Sequence, residues 1–206
     1  MVSTGFDTWT RRRVGIGGTA AAVVAGLAGL HAADAKKHKK KKKKKKPTPP
    51  PTPDATGQLV RSAKATTDNC IAGASGNIQL FKLNGAEQMV VNVSGLPAST
   101  PFDVFIIENP DTPFGFSWYQ GDLTTGSSGS GTQTFIGRFN DETFVLDAAE
   151  VAHKTFHVGV WFNSPADALA AGWTGGVTPF NGEQNAGIQA LKTVPVNGQG
   201  PLAQLN

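Results

Sequence analysis

Cysteine is nearly missing: Cys70 stands alone in 206 residues. A disulfide framework and a cysteine-built zinc cluster are therefore both excluded within one chain, and Cys70 reads as a small buried hydrophobe. Positive charge is scarce from Asp54 onward, where six Lys and Arg stand against thirteen Asp and Glu. That region has a net charge of −7, although the whole chain is formally +4. Histidine is scarce there too, limited to His153 and His157. No Ser-His-Asp pattern with a nucleophile elbow occurs. The Gly/Ser run at 126–131 lacks the lysine and following helix of a phosphate loop and reads as a mobile hairpin loop. Residues 14–30 are uncharged, but seventeen residues rich in Gly, Ala and Val are at the short limit for crossing a bilayer and gain little transfer energy.

What is present begins with an address. Arg11, Arg12 and Arg13 precede the 14–30 stretch, and Ala33-Asp34-Ala35 follows it. Positive, apolar and small-residue regions in that order describe a signal peptide over residues 1–35, cleaved after Ala35. The arginine pair and weakly hydrophobic core resemble a bacterial twin-arginine signal, although Val14-Gly15 or Gly15-Ile16 replaces the usual Phe-Leu. The expectation is export to the cell surface or beyond. Retention of the segment as a membrane anchor is the alternative, and the only membrane contact expected.

Residues 36–54 are a tail. Lys36, Lys37, Lys39, Lys40, Lys41, Lys42, Lys43, Lys44, Lys45 and Lys46 repel one another and have nothing apolar to bury, so the tract cannot fold. The sequence PTPPPTPD follows as a polyproline-type spacer of about 25 Å at roughly 3.1 Å per residue. Ten lysines near an anionic surface contribute on the order of 1 kcal/mol each, giving avid, salt-sensitive binding. The expected partner is an anionic cell-envelope polymer or polysaccharide. Specific nucleic-acid binding is not expected, because export removes the chain from the nucleoid and no aromatic side chain interleaves the lysines.

Residues 55–206 read as one domain, long enough to bury a normal core. β-Branched and aromatic runs at 77–83, 87–93, 102–108, 114–119, 132–139, 143–146, 155–162 and 188–194 predict strands. Asn84-Gly85 suits a type I′ hairpin turn. Asp147 and Glu150 are spaced as in a capping box, predicting a helical turn to about Lys154. Ser164-Pro165 with Gly172 predicts a second short helix. The fold class expected is all-β: an antiparallel β-sandwich of about seven or eight strands with two short helices. The segment Val93-Ser94-Gly95-Leu96-Pro97, followed by Phe102-Asp103-Val104-Phe105-Ile106, resembles a strand pair of bacterial Ig-like and fibronectin-III-like sandwiches. It is also similar to copper/zinc superoxide-dismutase-like and CHRD-type secreted domains. In the dismutase pattern histidine ligands follow this motif. Here the run is Val104-Phe105-Ile106-Ile107, which removes that chemistry from what the resemblance implies.

Candidate sites are few. His153 on a helical turn and His157 on a strand do not make a metal pair, and neither a metal nor a cofactor is expected. Glu108, Asp111, Asp122, Asp141, Glu142 and Asp147 fall near predicted strand ends and could act together only if the fold gathers them. Phe114, Phe116 and Trp118 alternate as if on one strand face, with Trp173 in a later loop. Such a row either fills the core or stacks on sugar rings. The loop at 178–185, which contains Phe180, reads as a ligand rim or an ordinary turn. The leading expectation is a non-catalytic exported sandwich tethered by its lysines. The alternatives are a carbohydrate-binding module using the aromatic row and a metal- or carboxylate-dependent secreted enzyme.

Overall fold

The computed structural model describes residues 49–140, 144–173, 176–179 and 185–206. The segment with the arginines, Ala35 and the lysines, and also Asp141, Glu142 and Phe180, lie outside the described residues. In chain order the elements are β1 (Ala55–Arg61), α1 (Ala63–Thr67), β2 (Ser75–Lys82), β3 (Glu87–Ser94), β4 (Pro101–Ile107) and β5 (Ser117–Thr124). They continue with β6 (Gly131–Gly137), β7 (Phe144–Leu146), β8 (Ala152–Lys154), β9 (His157–Phe162), α2 (Pro165–Ala170), β10 (Thr178–Pro179), β11 (Asn185–Ala186) and β12 (Gln189–Thr193). A 3₁₀ turn, Pro201–Leu205, closes the chain.

Eight strands form one antiparallel sheet in the order β5-β4-β9-β12-β1-β2-β3-β6, and β7–β8 and β10–β11 are separate two-stranded ribbons. The all-β class and the antiparallel pairing are as the strand spacing predicts. The sheet rolls about one core built from the inward side chains of every strand in it, among them Leu59, Ile78, Met89, Val104, Leu123, Phe135, Val160 and Leu191. At the meeting of its edges a Cβ on Gly121 would lie 2.7 Å from the Phe135 ring, and one on Gly131 3.0 Å from the Thr124 carbonyl. Only glycine lets β5 and β6 approach so closely.

The two halves of the sheet differ in their burial. In β1 and β3 buried and exposed or half-exposed positions alternate, so one face meets water. Five successive residues of β4 after Phe102, and all six of β9, are buried on both faces. The outer face of β4 and β9 carries a small second core of Phe105, Ile107, Trp161 and Ala186.

Several local expectations are corrected. The Asn84-Gly85 turn is not type I′, because only Gly85 takes a positive φ, 81°. Asp147 does not start a helix. Its Oδ1 accepts from the amides of Ala149 (2.8 Å) and Val151 (2.9 Å), making a tight turn between β7 and β8, so His153 sits on a strand. The first helix is α1 instead, capped by the Ser62 hydroxyl, which accepts from the Ala65 amide at 3.0 Å. The second helix falls where Ser164-Pro165 places it, and Gly172 follows at φ 80°. The aromatic strand begins only at Ser117; Phe114 and Phe116 belong to the preceding loop, which Gly115 turns at φ 68°. The Gly/Ser loop is shorter and better held than its composition suggests: Thr125 is buried, its hydroxyl donates to the Pro97 carbonyl at 2.6 Å, and the Leu96 amide donates to Gly129 at 3.2 Å. Cys70 is half-buried against the core, with a free thiol.

Candidate functional site

Two of the strand-end carboxylates, Glu108 and Asp147, do meet, at His153. Glu108 lies just past β4, where its own amide donates to Phe116 O at 2.8 Å. Its Oε2 accepts from the Phe116 amide at 3.0 Å, over Gly115, where any Cβ would be 2.3 Å from that oxygen. Its Oε1 faces His153 Nδ1 at 3.1 Å, while His153 Nε2 faces Asp147 Oδ2 at 3.2 Å. The imidazole also packs on the Phe116 ring, 4.3 Å between centroids. Ionised carboxylates only accept, so a ring holding both must donate from both nitrogens and be the imidazolium. The bonds to Glu108 and then Asp147 accordingly raise the His153 pKa above the usual histidine range. Burial pushes Glu108 upward, but the Phe116 amide and His153 outweigh it and hold the carboxyl below its ordinary value. The Val151 amide, then His153, lower Asp147.

Chemically this trio is a clamp. With both nitrogens engaged, His153 has no lone pair with which to take a proton from a substrate. The two carboxylates occupy opposite edges of the ring, so they do not converge on one ion. Among the described residues no group of three or more His, Cys, Asp or Glu is arranged to hold a metal. His157 is remote in role as well: it is buried, its Nδ1 lies 3.1 Å from Thr193 Oγ1, and burial and then Lys192 lower its pKa to about 4.

A residue outside that trio is the most perturbed acid. Asp103, in the middle of β4, is fully buried, and neither carboxylate oxygen has a hydrogen-bond partner. It points to the outer face between its register partners Asp122 on β5 and Trp161 on β9. Burial, then the charges of Asp122 and Asp167, raise its pKa to about 7. Asp122 in turn accepts a hydrogen bond from the Tyr119 hydroxyl. Its signal was present in the sequence as a single charge inside the apolar run 102–107.

A groove of about 510 Å³ lies between α1, the loop after β4 and the start of β12. Phe114, Pro113, Val177 and Ile188 give it apolar walls, and Lys64, Asp111 and Gln189 its polar ones. Those polar groups already have partners: Lys64 pairs with Asp68 at 2.5 Å, Lys192 pairs with Asp111, and Gln189 Nε2 donates to Pro110 O at 3.2 Å.

The aromatic row is split three ways. Phe114 stacks edge-on against Trp161 at 5.1 Å, Phe116 covers His153, and Trp118 packs on the main core. Trp173 is buried, with Nε1 donating to Asp68 Oδ2 at 2.7 Å, which ties the end of α2 to α1. The four do not form one platform. The chain matches no family model and no curated protein.

Proposed function

We propose that this is an exported, non-catalytic β-domain protein held on the cell envelope by its lysine tract. The carrying observation is the division of charge: ten lysines in residues 36–46, and a net −7 over the 153 residues from Asp54. Attraction to an anionic polymer then resides in the tail, while the domain itself is repelled by such a polymer. The domain's chemistry supports a binding or structural role, since the histidine that meets two carboxylates is held as their counter-ion.

The test is extraction of intact cells and envelope fractions from the natural host with stepped NaCl. The share held by the tail should leave the envelope between roughly 0.2 and 1 M salt, by the counter-ion logic of polycation binding. A chain lacking residues 36–46 should lose that salt-sensitive share and be enriched in the medium at low salt. Retention that ignores both salt and the deletion removes the tether, and a cytoplasmic location removes the export.

A further inference from the structure

We propose that the outer face of β1, β2, β3 and β6 is a docking surface for a neutral polysaccharide. The inference rests on the envelope reading for where the chain meets a glycan, and on the sheet face alone for how it binds one.

The face is built in cross-strand rows. Gln58, Asn77, Asn92 and Thr132 are successive register partners across the four strands. Two residues along, Thr56, Gln79, Val90 and Thr134 form the next row. At about 4.8 Å between strands, each row spans roughly 14 Å, and rows repeat about every 6.7 Å. The first row is already ordered: Asn92 Nδ2 donates to Asn77 Oδ1 at 3.1 Å, and Thr132 Oγ1 donates to Asn92 Oδ1 at 2.8 Å. Side chains fixed this way lose little further freedom on binding. Along the β1 side the face runs into a second groove, about 310 Å³, walled by Thr56, Gln58, Gln204 and the 194–196 turn.

Charge selects the partner. The domain, residues 55–206, carries eighteen charged residues, yet none occupies an outward position within these four strands. Charges adjoin the face at its ends and side: Asp54, just before β1, accepts from the Lys82 amide at 2.6 Å, Arg138, just past β6, faces Glu87 at 3.9 Å, and Lys192, opposite Val60 on the neighbouring strand, is held by Asp111. A nucleic acid or acidic polymer requires cations on the surface it meets, and a basic protein requires carboxylates. Amides and hydroxyls instead offer donors and acceptors together, which is what sugar hydroxyls require. Val90 and the exposed Ile136 supply apolar spots for the C–H faces of the rings.

The experiment uses the full chain and two particulate glycans, microcrystalline cellulose and chitin, in sedimentation assays at 0.1 and 1 M NaCl. High salt suppresses the lysine tract, so loss of the envelope reading and loss of this one are distinguishable. The expected result is binding to at least one glycan that changes less than twofold with salt. Asn77→Ala/Asn92→Ala should weaken it at least tenfold, and Thr134→Lys, an exposed change, should do the same, with circular dichroism unaltered. Binding to neither glycan at 1 M salt overturns the proposal, as does binding that both variants leave intact. Concentration-dependent self-association that both variants abolish would assign the face to a second copy of the chain and overturn it as well.

Discussion

Asp103→Asn should make the protein more stable above pH 7 and change the shape of its stability profile. Asp103 is fully buried with both oxygens unpartnered, and its pKa in the fold is about 7 against an ordinary 3.8. Below pH 4 the group is protonated in folded and unfolded chains alike and contributes no pH dependence. Between pH 4 and 7 the folded chain holds a proton that the unfolded chain releases, so each pH unit costs up to about 1.4 kcal/mol. Above pH 7 the cost levels off at roughly 4 kcal/mol, the three-unit difference converted at that rate. An asparagine stays neutral throughout. Its buried amide carries its own penalty of about 1–3 kcal/mol, but that penalty is constant with pH. The decisive quantity is therefore the change in the variant-minus-native difference between pH 4 and pH 8.5. It should move by about 2–4 kcal/mol in favour of the variant. Urea unfolding at half-unit pH steps measures it directly. Parallel profiles for the two proteins would refute the reasoning, because they would mean that Asp103 is ionised in the fold at ordinary cost.

The two histidines should titrate on opposite sides of the usual value. By NMR, the His153 ring should remain charged above pH 6.5, and Glu108→Gln should lower its midpoint; its contribution to stability is complete below pH 6.5 and is lost as pH rises through the folded midpoint. His157 should stay neutral down to about pH 4. Stability from this group is present above pH 6.5 and lost as pH falls toward 4, so His157→Gln should flatten the acid limb of a thermal-unfolding profile. Trp173→Ala removes a buried ring packed on Phe162 (5.8 Å between centroids) and the bond to Asp68; it should cost about 3–5 kcal/mol in chemical denaturation, and a cost below 1 kcal/mol would mean α2 is not anchored there.

Sequence patterning was most informative where one rule acted alone. β3 alternates strictly, α2 begins with Ser164-Pro165, and β9 concentrates β-branched and aromatic residues; all three were legible. β1 was not, because its inward position 57 is a glycine: a Cβ there would meet Pro201 at 2.7 Å, and the apolar partner comes from the far end of the chain. The Asp147–Glu150 pattern was misleading because an aspartate oxygen satisfies amides equally well in a tight turn and at a helix start. Of the candidate site, the strand-end carboxylates pointed to Glu108 and Asp147, but their meeting at His153 depends on a ribbon pairing that no local spacing encodes. The aromatic row failed as a row because Gly115 turns the chain between its members.

The two surfaces proposed for binding differ in range, and that difference gives them separate roles. Ten lysines act through a field that 0.15 M salt screens within about 8 Å, which makes capture fast and indifferent to the sugar sequence of the polymer. The neutral face has no such field. It acts only at contact, through donors and acceptors whose positions are set by strand spacing, so selectivity resides there. A charged residue on that face would add affinity for the anionic polymers the tail already holds, at the cost of discrimination. Its absence from every outward position of four strands, in a domain with eighteen charges, fits a surface that recognises hydroxyls. Retention should therefore fall in two steps as salt rises: a steep one from the tail, then a plateau at which only glycan-bound chain remains.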